Sequence, residues 1–313
     1  LFFLLALGVH IGIALAISGF IGIIIISGFE QAISMNVTCI YHKISNPSLN
    51  TLPLFILMGY LASGGGISRD LFDSLNLWLG KIRGGMGVAS VIGCTAFGTV
   101  RGSSVVTTAV FCKICAPEMR RHGYSKSLSY AICASAGSIG MLIPPSIIAI
   151  VYGMLSGVSI GKILMAGVAP GILWAVLFSL TISLTGKLRP SSIVHSPKHA
   201  TWRERFVSLR VWWPIVVVAL CVFGGIYGGV FTPSEAAAVA AFILFLIYIM
   251  VNIIRRKAMD RRKGIRELNF LFMDTATTSA LIFLVMGSAT VFSNFIVLTG
   301  IATNVLSFIT NWG

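Results

Sequence analysis

The sequence predicts an all-α integral membrane protein, and three observations support that class. Of the 313 residues, 56% are hydrophobic and only 10% are charged, and the mean hydropathy is +0.93. Soluble domains contain about 25% charged residues. The apolar residues form long runs separated by short basic segments, and two of these runs are interrupted by glycine, serine and proline. We therefore expect several helices that cross or enter a lipid bilayer.

The formal net charge of +14 fits a membrane protein better than a nucleic-acid-binding protein. The basic residues lie in the gaps between apolar runs, and lysine and arginine in short loops mark the cytoplasmic side of a membrane. The predicted helices place four basic clusters on the cytoplasmic side. These clusters are 81–83, 118–121, 187–210 and 255–266.

The first part of the chain contains two apolar runs, a polar connection and two short helices. In order, the predicted elements are the end of one span (1–7), a second span (10–27), the connection (30–50), an apolar helix (52–64) and an interfacial helix (68–80). The interfacial helix has leucines at 71, 75 and 79 on one side and charged residues elsewhere. This spacing is typical of a helix that lies along the membrane surface.

A re-entrant helical hairpin is predicted over 85–118. Its apolar arms, 85–98 and 104–116, are each shorter than the roughly 20 residues that a span needs, and basic residues flank both outer ends. Irregular backbone survives at membrane depth only where protein or a polar cavity surrounds it. We expect the interruption in the segment Gly98-Thr99-Val100-Arg101-Gly102-Ser103-Ser104, with Arg101–Ser104 at the tip of the hairpin.

A broken transmembrane helix is predicted over 125–156. The run is long enough to cross a bilayer, but Pro144 and Pro145 lie in its middle. Proline removes a backbone donor and clashes with the preceding turn, so the run divides into two half-helices. Paired interruptions of this kind indicate the binding site of a secondary transporter.

The remaining apolar runs predict spans over 161–185, 215–229, 235–254 and 275–298, followed by an interfacial segment over 301–312. Thr232 or Ser234 is expected to cap the third of these helices, with Glu235 in its first turn. A proton-relay role for Glu235 is the alternative interpretation.

The order of elements predicts an inverted repeat. A span and an interfacial segment occur first near 52–80 and again, on the opposite side, over 275–312. We assign 1–165 to the first repeat with scaffold helices, and 166–313 to an incomplete second repeat without its hairpin. Both ends look cut, and on the order of 100 residues are expected beyond the second repeat. The 313-residue chain alone is therefore expected not to transport.

Five motifs follow one another along the chain: Pro53-Leu54-Phe55-Ile56-Leu57-Met58-Gly59, Gly102-Ser103-Ser104, Pro117-Glu118-Met119-Arg120-Arg121-His122-Gly123-Tyr124, Ile143-Pro144-Pro145-Ser146 and Gly228-Gly229-Val230-Phe231-Thr232-Pro233-Ser234-Glu235-Ala236-Ala237-Ala238. In this order they strongly resemble the large membrane subunit of TRAP transporters, the tripartite ATP-independent periplasmic transporters (the DctM-like permease family). The resemblance covers essentially the whole chain.

The resemblance implies a sodium-coupled, elevator-type importer of organic acids in the bacterial inner membrane. Its substrates would be C4-dicarboxylates, sialic acid or other sugar acids. No cofactor is implied, and sodium ions would be the coupling ions. A periplasmic substrate-binding protein would deliver the substrate, and a small four-helix membrane subunit would brace the large one. No enzymatic activity is implied.

The resemblance also implies a first sodium site, at the hairpin tip and the proline break. Its residues would be Gly102, Ser103, Ser104, Pro145 and Ser146. Arg101 departs from the family, which usually has a small residue there, and it could contact the substrate carboxylate or point to the cytoplasm. Lys113, in the second arm of the hairpin, is a further departure and could reach the cytoplasmic surface. An impaired site is the alternative.

Other interpretations remain open at the level of sequence. The serines are also typical of helix–helix contacts, or one could act as the nucleophile of an intramembrane hydrolase. His195 and His199 have metal-ligand spacing, and Cys112 and Cys115 have the spacing of a redox pair. The subunit could also only dock a binding protein, or belong to another ion-coupled elevator carrier.

Overall fold

The computed structural model describes residues 1–64, 67–82, 84–188, 201–255 and 261–310, and every regular element within these ranges is a helix. The predicted all-α class is therefore confirmed. His195, His199 and parts of the basic segments 187–210 and 255–266 lie outside the described residues.

Four helical runs are long and apolar enough to cross a membrane: Ile160–Leu188, Trp202–Tyr227, Pro233–Met250 and Gly264–Leu298. The bent pair Pro47–Gly64 and Ser68–Leu79 would make a fifth span if its two helices cross together. This confirms a multi-pass membrane protein. The orientation of the spans in the membrane stays a prediction.

The first compact unit contains residues 1–49 and 276–313. Its helices pack closely where glycines face aromatic residues: a Cβ atom on Gly19 would lie 2.9 Å from the Phe292 backbone, and one on Gly22 would clash with the Phe295 ring. The helices of this unit are α1 (Phe2–Ala6), α2 (Ile11–Ser27), α3 (Phe29–Ile44), the later part of α15 (Arg261–Leu298) and α16 (Ile301–Thr310).

Helix α3 refines one prediction. The segment 30–50 is predicted as a polar, partly amphipathic connection, and most of it is helical. Its sequence contains glutamate, glutamine, alanine and methionine, which favour helix, and it contains no internal proline or glycine. Polarity alone therefore did not indicate a loop.

The second compact unit, residues 50–275, contains the hairpin and the broken helix. Its buried core includes Phe55, Phe72, Phe97 and Phe111. The helices are α4 (Thr51–Gly64), α5 (Ile67–Leu79), α6 (Gly85–Arg101), α7 (Ser104–Arg121), α8 (Lys126–Ile139), α9 (Ile147–Ser156), α10 (Ile160–Leu188), α11 (Trp202–Ser208), α12 (Trp213–Ala219), α13 (Gly225–Tyr227), α14 (Pro233–Arg255) and the first part of α15.

The start of α14 has the predicted cap. Glu235 accepts hydrogen bonds from the Thr232 backbone N–H at 2.8 Å and from the Thr232 hydroxyl at 2.9 Å, and the Glu235 N–H donates to Thr232 Oγ1 at 3.3 Å. These bonds form a capping box, which satisfies donors that the helix itself leaves unpaired. Ser234 instead hydrogen-bonds Thr51 of α4.

The division into two compact units follows contacts, whereas the repeats predicted for 1–165 and 166–313 concern internal symmetry. The two properties are independent, so the repeat boundary stays a prediction.

Candidate functional site

The tip of the helical hairpin is tighter than the sequence predicted. Helix α6 continues through Arg101, and α7 begins at Ser104, so only Gly102 and Ser103 separate the two arms. Gly102 adopts the left-handed conformation, with φ of 63°, and its N–H donates to the Gly98 carbonyl at 3.0 Å. This left-handed end of a helix favours glycine. The predicted hairpin and its tip are therefore present as a helix–turn–helix, with an irregular segment of two residues.

The broken helix lies where the prolines predicted it. Helix α8 ends at Ile139 and α9 begins at Ile147, and the intervening segment 140–146 includes a cis peptide bond between Pro144 and Pro145. Ser146 is buried and caps α9, because its Oγ accepts a hydrogen bond from the Ala149 N–H at 3.2 Å.

The hairpin tip and the helix break touch directly. The Ile147 N–H donates to the Gly102 carbonyl at 3.3 Å. A Cβ atom on Gly102 would clash with the Pro145 carbonyl oxygen, and one on Gly98 would lie 2.5 Å from Gly140 Cα. Only glycine allows backbones to approach this closely. We call this contact between residues 98–107 and 140–147 the junction.

The structure therefore brings some of the predicted site residues together at the junction. Gly102 and Pro145 are in contact, and Ser146 lies beside them on the chain. Ser103 and Ser104 are half-buried at the start of α7, and the Ser103 side chain makes no capping hydrogen bond. The C-terminal ends of α6 and α8 and the N-terminal ends of α7 and α9 meet here. The residues that precede α7 and α9, Ser103 and Ser146, are both serines.

Thr107 is a further polar residue at the junction that the sequence reasoning missed. It lies in the first turn of α7 and is fully buried, and its hydroxyl has no hydrogen-bond partner among the described residues. A Cβ atom on Gly140 would lie 3.4 Å from this hydroxyl. A buried hydroxyl without a partner carries a desolvation penalty. Thr107 therefore presents an unsatisfied oxygen to the helix break.

Arg101 points from the hairpin tip towards α4. Its Nη1 donates to the Gly59 carbonyl at 3.0 Å and to the Ser63 hydroxyl, and its guanidinium lies 4.6 Å from the centre of the Tyr60 ring. Arg101 is 6% exposed. These contacts attach the end of α6 to α4. The predicted contact of Arg101 with substrate stays a prediction.

We expect Arg101→Ser to lower the stability of the protein by about 2 kcal/mol, because two hydrogen bonds from a buried guanidinium and its contact with Tyr60 are lost. Thermal unfolding in detergent measures this effect, and Lys113→Ser, which removes an exposed cation from the neighbouring arm, is the control. An Arg101→Ser protein of unchanged stability but weakened substrate affinity would contradict the anchoring role and favour the substrate contact.

The other sequence alternatives gain no support from the described residues. Lys113 is exposed on α7, and Cys112 and Cys115 are free thiols. His122 Nδ1 is 2.9 Å from the Glu118 carbonyl oxygen, as expected for a structural contact. The part of the chain that the structure describes contains no group of three or more histidine, cysteine, aspartate or glutamate residues suited to a metal ion.

A multi-pass helical protein in which a hairpin tip meets a broken helix falls in the class of membrane permeases. Within this class, the chain belongs to the family described as "Tripartite ATP-independent periplasmic transporter, DctM component", whose model matches residues 1–313. The family resemblance of the sequence motifs is therefore confirmed. This family consists of transporter components, so the chain's membership of it agrees with the expectation that the chain is not an enzyme.

The names of three curated relatives contain different substrates. The ectoine TRAP transporter large permease protein TeaC of Halomonas elongata is 32% identical over 93% of this chain. The C4-dicarboxylate TRAP transporter large permease protein DctM of Pseudomonas aeruginosa is 36% identical over 64% of it. The isethionate TRAP transporter permease protein DctMQ of Oleidesulfovibrio alaskensis is 31% identical over 96% of it. The aligned regions span 65%, 47% and 46% of these relatives' lengths.

Proposed function

We propose that this chain is the large permease subunit of a sodium-coupled importer of small organic acids, and that the junction holds one coupling sodium ion. The observation that carries the proposal is the unsatisfied Thr107 hydroxyl, which lies in the first turn of α7 and beside Gly140 of the helix break. Uncharged oxygen ligands from broken helices are typical of the sodium sites of secondary transporters.

The junction supplies several oxygens of this kind. The Pro145 carbonyl lies against Gly102, and the hydroxyls of Ser103 and Ser104 lie at the start of α7. Ser146 already accepts one hydrogen bond but retains a second lone pair. Gly102, Ser103, Ser104, Pro145 and Ser146 stay the proposed sodium ligands, and Thr107 joins them. The Arg101 guanidinium is directed towards α4, where the Gly59 carbonyl and the Tyr60 ring stabilise its charge.

The partners and substrate class also belong to the proposal. A small four-helix membrane subunit would accompany this chain in the bacterial inner membrane, and a periplasmic binding protein would deliver the substrate. The fused name DctMQ of the isethionate relative supports a second membrane component. Dicarboxylates, ectoine and isethionate all carry an anionic group, so the substrate is a small polar solute with at least one such group. The transport domain would move against a scaffold as an elevator.

Uptake of radiolabelled organic acids into proteoliposomes tests this function. The full-length protein is reconstituted with its small subunit and binding protein, and an inward sodium gradient is compared with an equal potassium gradient. We expect uptake to require sodium and the binding protein together. Uptake that is equal in potassium contradicts sodium coupling, and binding of the loaded binding protein without any uptake would assign the chain a docking role.

A further inference from the structure

A buried arginine that lies far from the junction in sequence, in α11, has two nitrogen atoms without a hydrogen-bond partner among the described residues. Arg205 is 8% exposed, yet its Nε and Nη2 atoms have no hydrogen-bond partner in the described part of the chain. A guanidinium carries five donors and stays charged. A charged group that is buried without partners is strongly unfavourable, so an observed one calls for an explanation.

Two tryptophan rings lie near this guanidinium. Its central carbon lies 5.3 Å from the centre of the Trp202 ring and 6.0 Å from that of the Trp78 ring. Phe206 stacks on Trp202, with ring centres 6.4 Å apart. We call Trp78, Trp202 and Phe206 the aromatic collar of Arg205. Cation–π attraction compensates only part of what two lost hydrogen bonds of a charged group cost.

Hydrogen bonds between α5 and the chain around α11 hold the collar in place. The Trp78 indole N–H donates to the Arg205 carbonyl at 3.2 Å. The Trp212 indole N–H donates to the Ser74 hydroxyl at 3.1 Å, and that hydroxyl donates to Ser208 Oγ at 3.0 Å. These hydrogen bonds hold the Arg205 carbonyl and the following residues Ser208 and Trp212 against α5. They thereby position the unpaired donors of Arg205.

The neighbouring sequence offers no carboxylate for Arg205. Glu204 is engaged at the cap of α11, where its side chain accepts a hydrogen bond from the Thr201 N–H at 2.8 Å. Among the described residues, no carboxylate accepts a hydrogen bond from Arg205 Nε or Nη2. Asp70 and Asp73 of α5, the helix that carries Trp78, have interactions of their own. The segment 189–200, which precedes α11 in the sequence, contains no aspartate or glutamate. An anion from outside the described residues is therefore the natural partner.

The position of Arg205 indicates which anion this is. Trp202 begins the 26-residue run Trp202–Tyr227, which is long and apolar enough to span a membrane, so Arg205 lies one turn inside its start. Tryptophans at the end of a span mark the headgroup region. Arg203 and Arg210 are exposed nearby and add positive charge, which attracts anionic lipids.

We propose that Arg205 binds the phosphate group of an anionic phospholipid at the membrane interface. A planar guanidinium can donate two parallel hydrogen bonds to two oxygens of one phosphate group. The Trp202 ring, 5.3 Å from the guanidinium carbon, is 69% exposed, so its indole has room to move aside and admit a phosphate oxygen. The aromatic collar then packs against the lipid glycerol and upper acyl chains. The site is independent of the junction and of sodium.

Thermal unfolding of the full-length protein in a neutral detergent tests this proposal, with phosphatidylglycerol, phosphatidylcholine or inorganic phosphate added. We expect phosphatidylglycerol to raise the unfolding temperature of the unaltered protein by about 4 °C or more, and phosphatidylcholine and inorganic phosphate to raise it much less. Native mass spectrometry should show one phosphatidylglycerol molecule that is retained under conditions that remove the others.

Three variants make the test specific. Arg205→Met should lose most of the phosphatidylglycerol effect, whereas the matched control Arg203→Met, which removes an exposed charge from the same helix, should keep it. Without lipid, Arg205→Met should be at least as stable as the unaltered protein, because it removes an unpaired buried charge. If Arg205→Met does not fold, Arg205→Lys, which keeps the charge but not the planar guanidinium, should show a reduced effect.

Four results would overturn the proposal. Phosphatidylglycerol could stabilise Arg205→Met as much as the unaltered protein, or Arg203→Met and Arg205→Met could lose the stabilisation equally. Inorganic phosphate could stabilise the protein as much as the lipid does. Finally, Arg205→Met could lose the co-purifying small subunit while its lipid binding is unchanged. The last result would assign the guanidinium to a carboxylate of a protein partner.

Discussion

Gly102→Ala is expected to abolish sodium-driven uptake by the full-length protein. The new Cβ atom would clash with the Pro145 carbonyl oxygen, which forces the hairpin tip away from the helix break. The left-handed φ of 63° adds a further cost of about 1–2 kcal/mol for any residue with a Cβ atom. Uptake assays and thermal unfolding of the purified variant measure the two consequences.

Gly157→Ala is the matched control for this change. Gly157 also has a positive φ, 73°, but a Cβ atom there meets nothing within 4 Å. It follows the end of α9, in the same broken helix. The control therefore carries the backbone strain without the clash, and it should keep most of its transport. Equal losses in the two variants would show that strain alone, and not contact at the junction, explains the Gly102 result.

Thr107→Val is expected to raise the sodium concentration for half-maximal uptake roughly tenfold, which corresponds to about 1.4 kcal/mol. Valine has nearly the same shape but lacks the hydroxyl that would bind the ion. In sodium-free buffer, the variant should be as stable as the unaltered protein or more stable, because an unsatisfied buried hydroxyl costs about 1–3 kcal/mol. A sodium titration of uptake and unfolding curves with and without sodium measure both effects.

Thr95→Val separates a sodium ligand from a structural hydroxyl. The Thr95 hydroxyl in α6 already donates to the Val91 carbonyl at 2.8 Å, so its removal should leave the sodium requirement unchanged. If Thr107→Val loses stability in sodium-free buffer and keeps the normal sodium requirement, the Thr107 hydroxyl is structural and the proposed ligand set is wrong.

Residues that restrict the backbone allowed the sequence to predict where the helices break. Pro144 and Pro145 cannot continue a helix, and Gly102 permits the left-handed turn at the tip, so both interruptions were located without a structure. The length of the irregular tip was overestimated, since Thr99 and Val100 are compatible with either state. Their helical conformation follows from packing of α6 against its neighbours.

The directions in which side chains point could not be predicted from the sequence in the same way. Thr107 was missed because a threonine in an apolar run is as compatible with a hydroxyl bonded to its own helix as with one that has no partner. The contacts of Arg101 with Gly59 and Tyr60 join positions about 40 residues apart, and no local pattern indicates them. The same holds for Arg205, whose aromatic neighbour Trp78 lies on another helix.

The most direct test of the sodium site is a pair of high-resolution density maps of the full-length protein, one in sodium chloride and one in choline chloride. We expect density in contact with the Thr107 hydroxyl at the junction in sodium, and its loss in choline, which is too large to enter. A junction that is identical in both salts, with no density beside Thr107, would contradict the proposal that this contact between hairpin tip and broken helix holds the coupling ion.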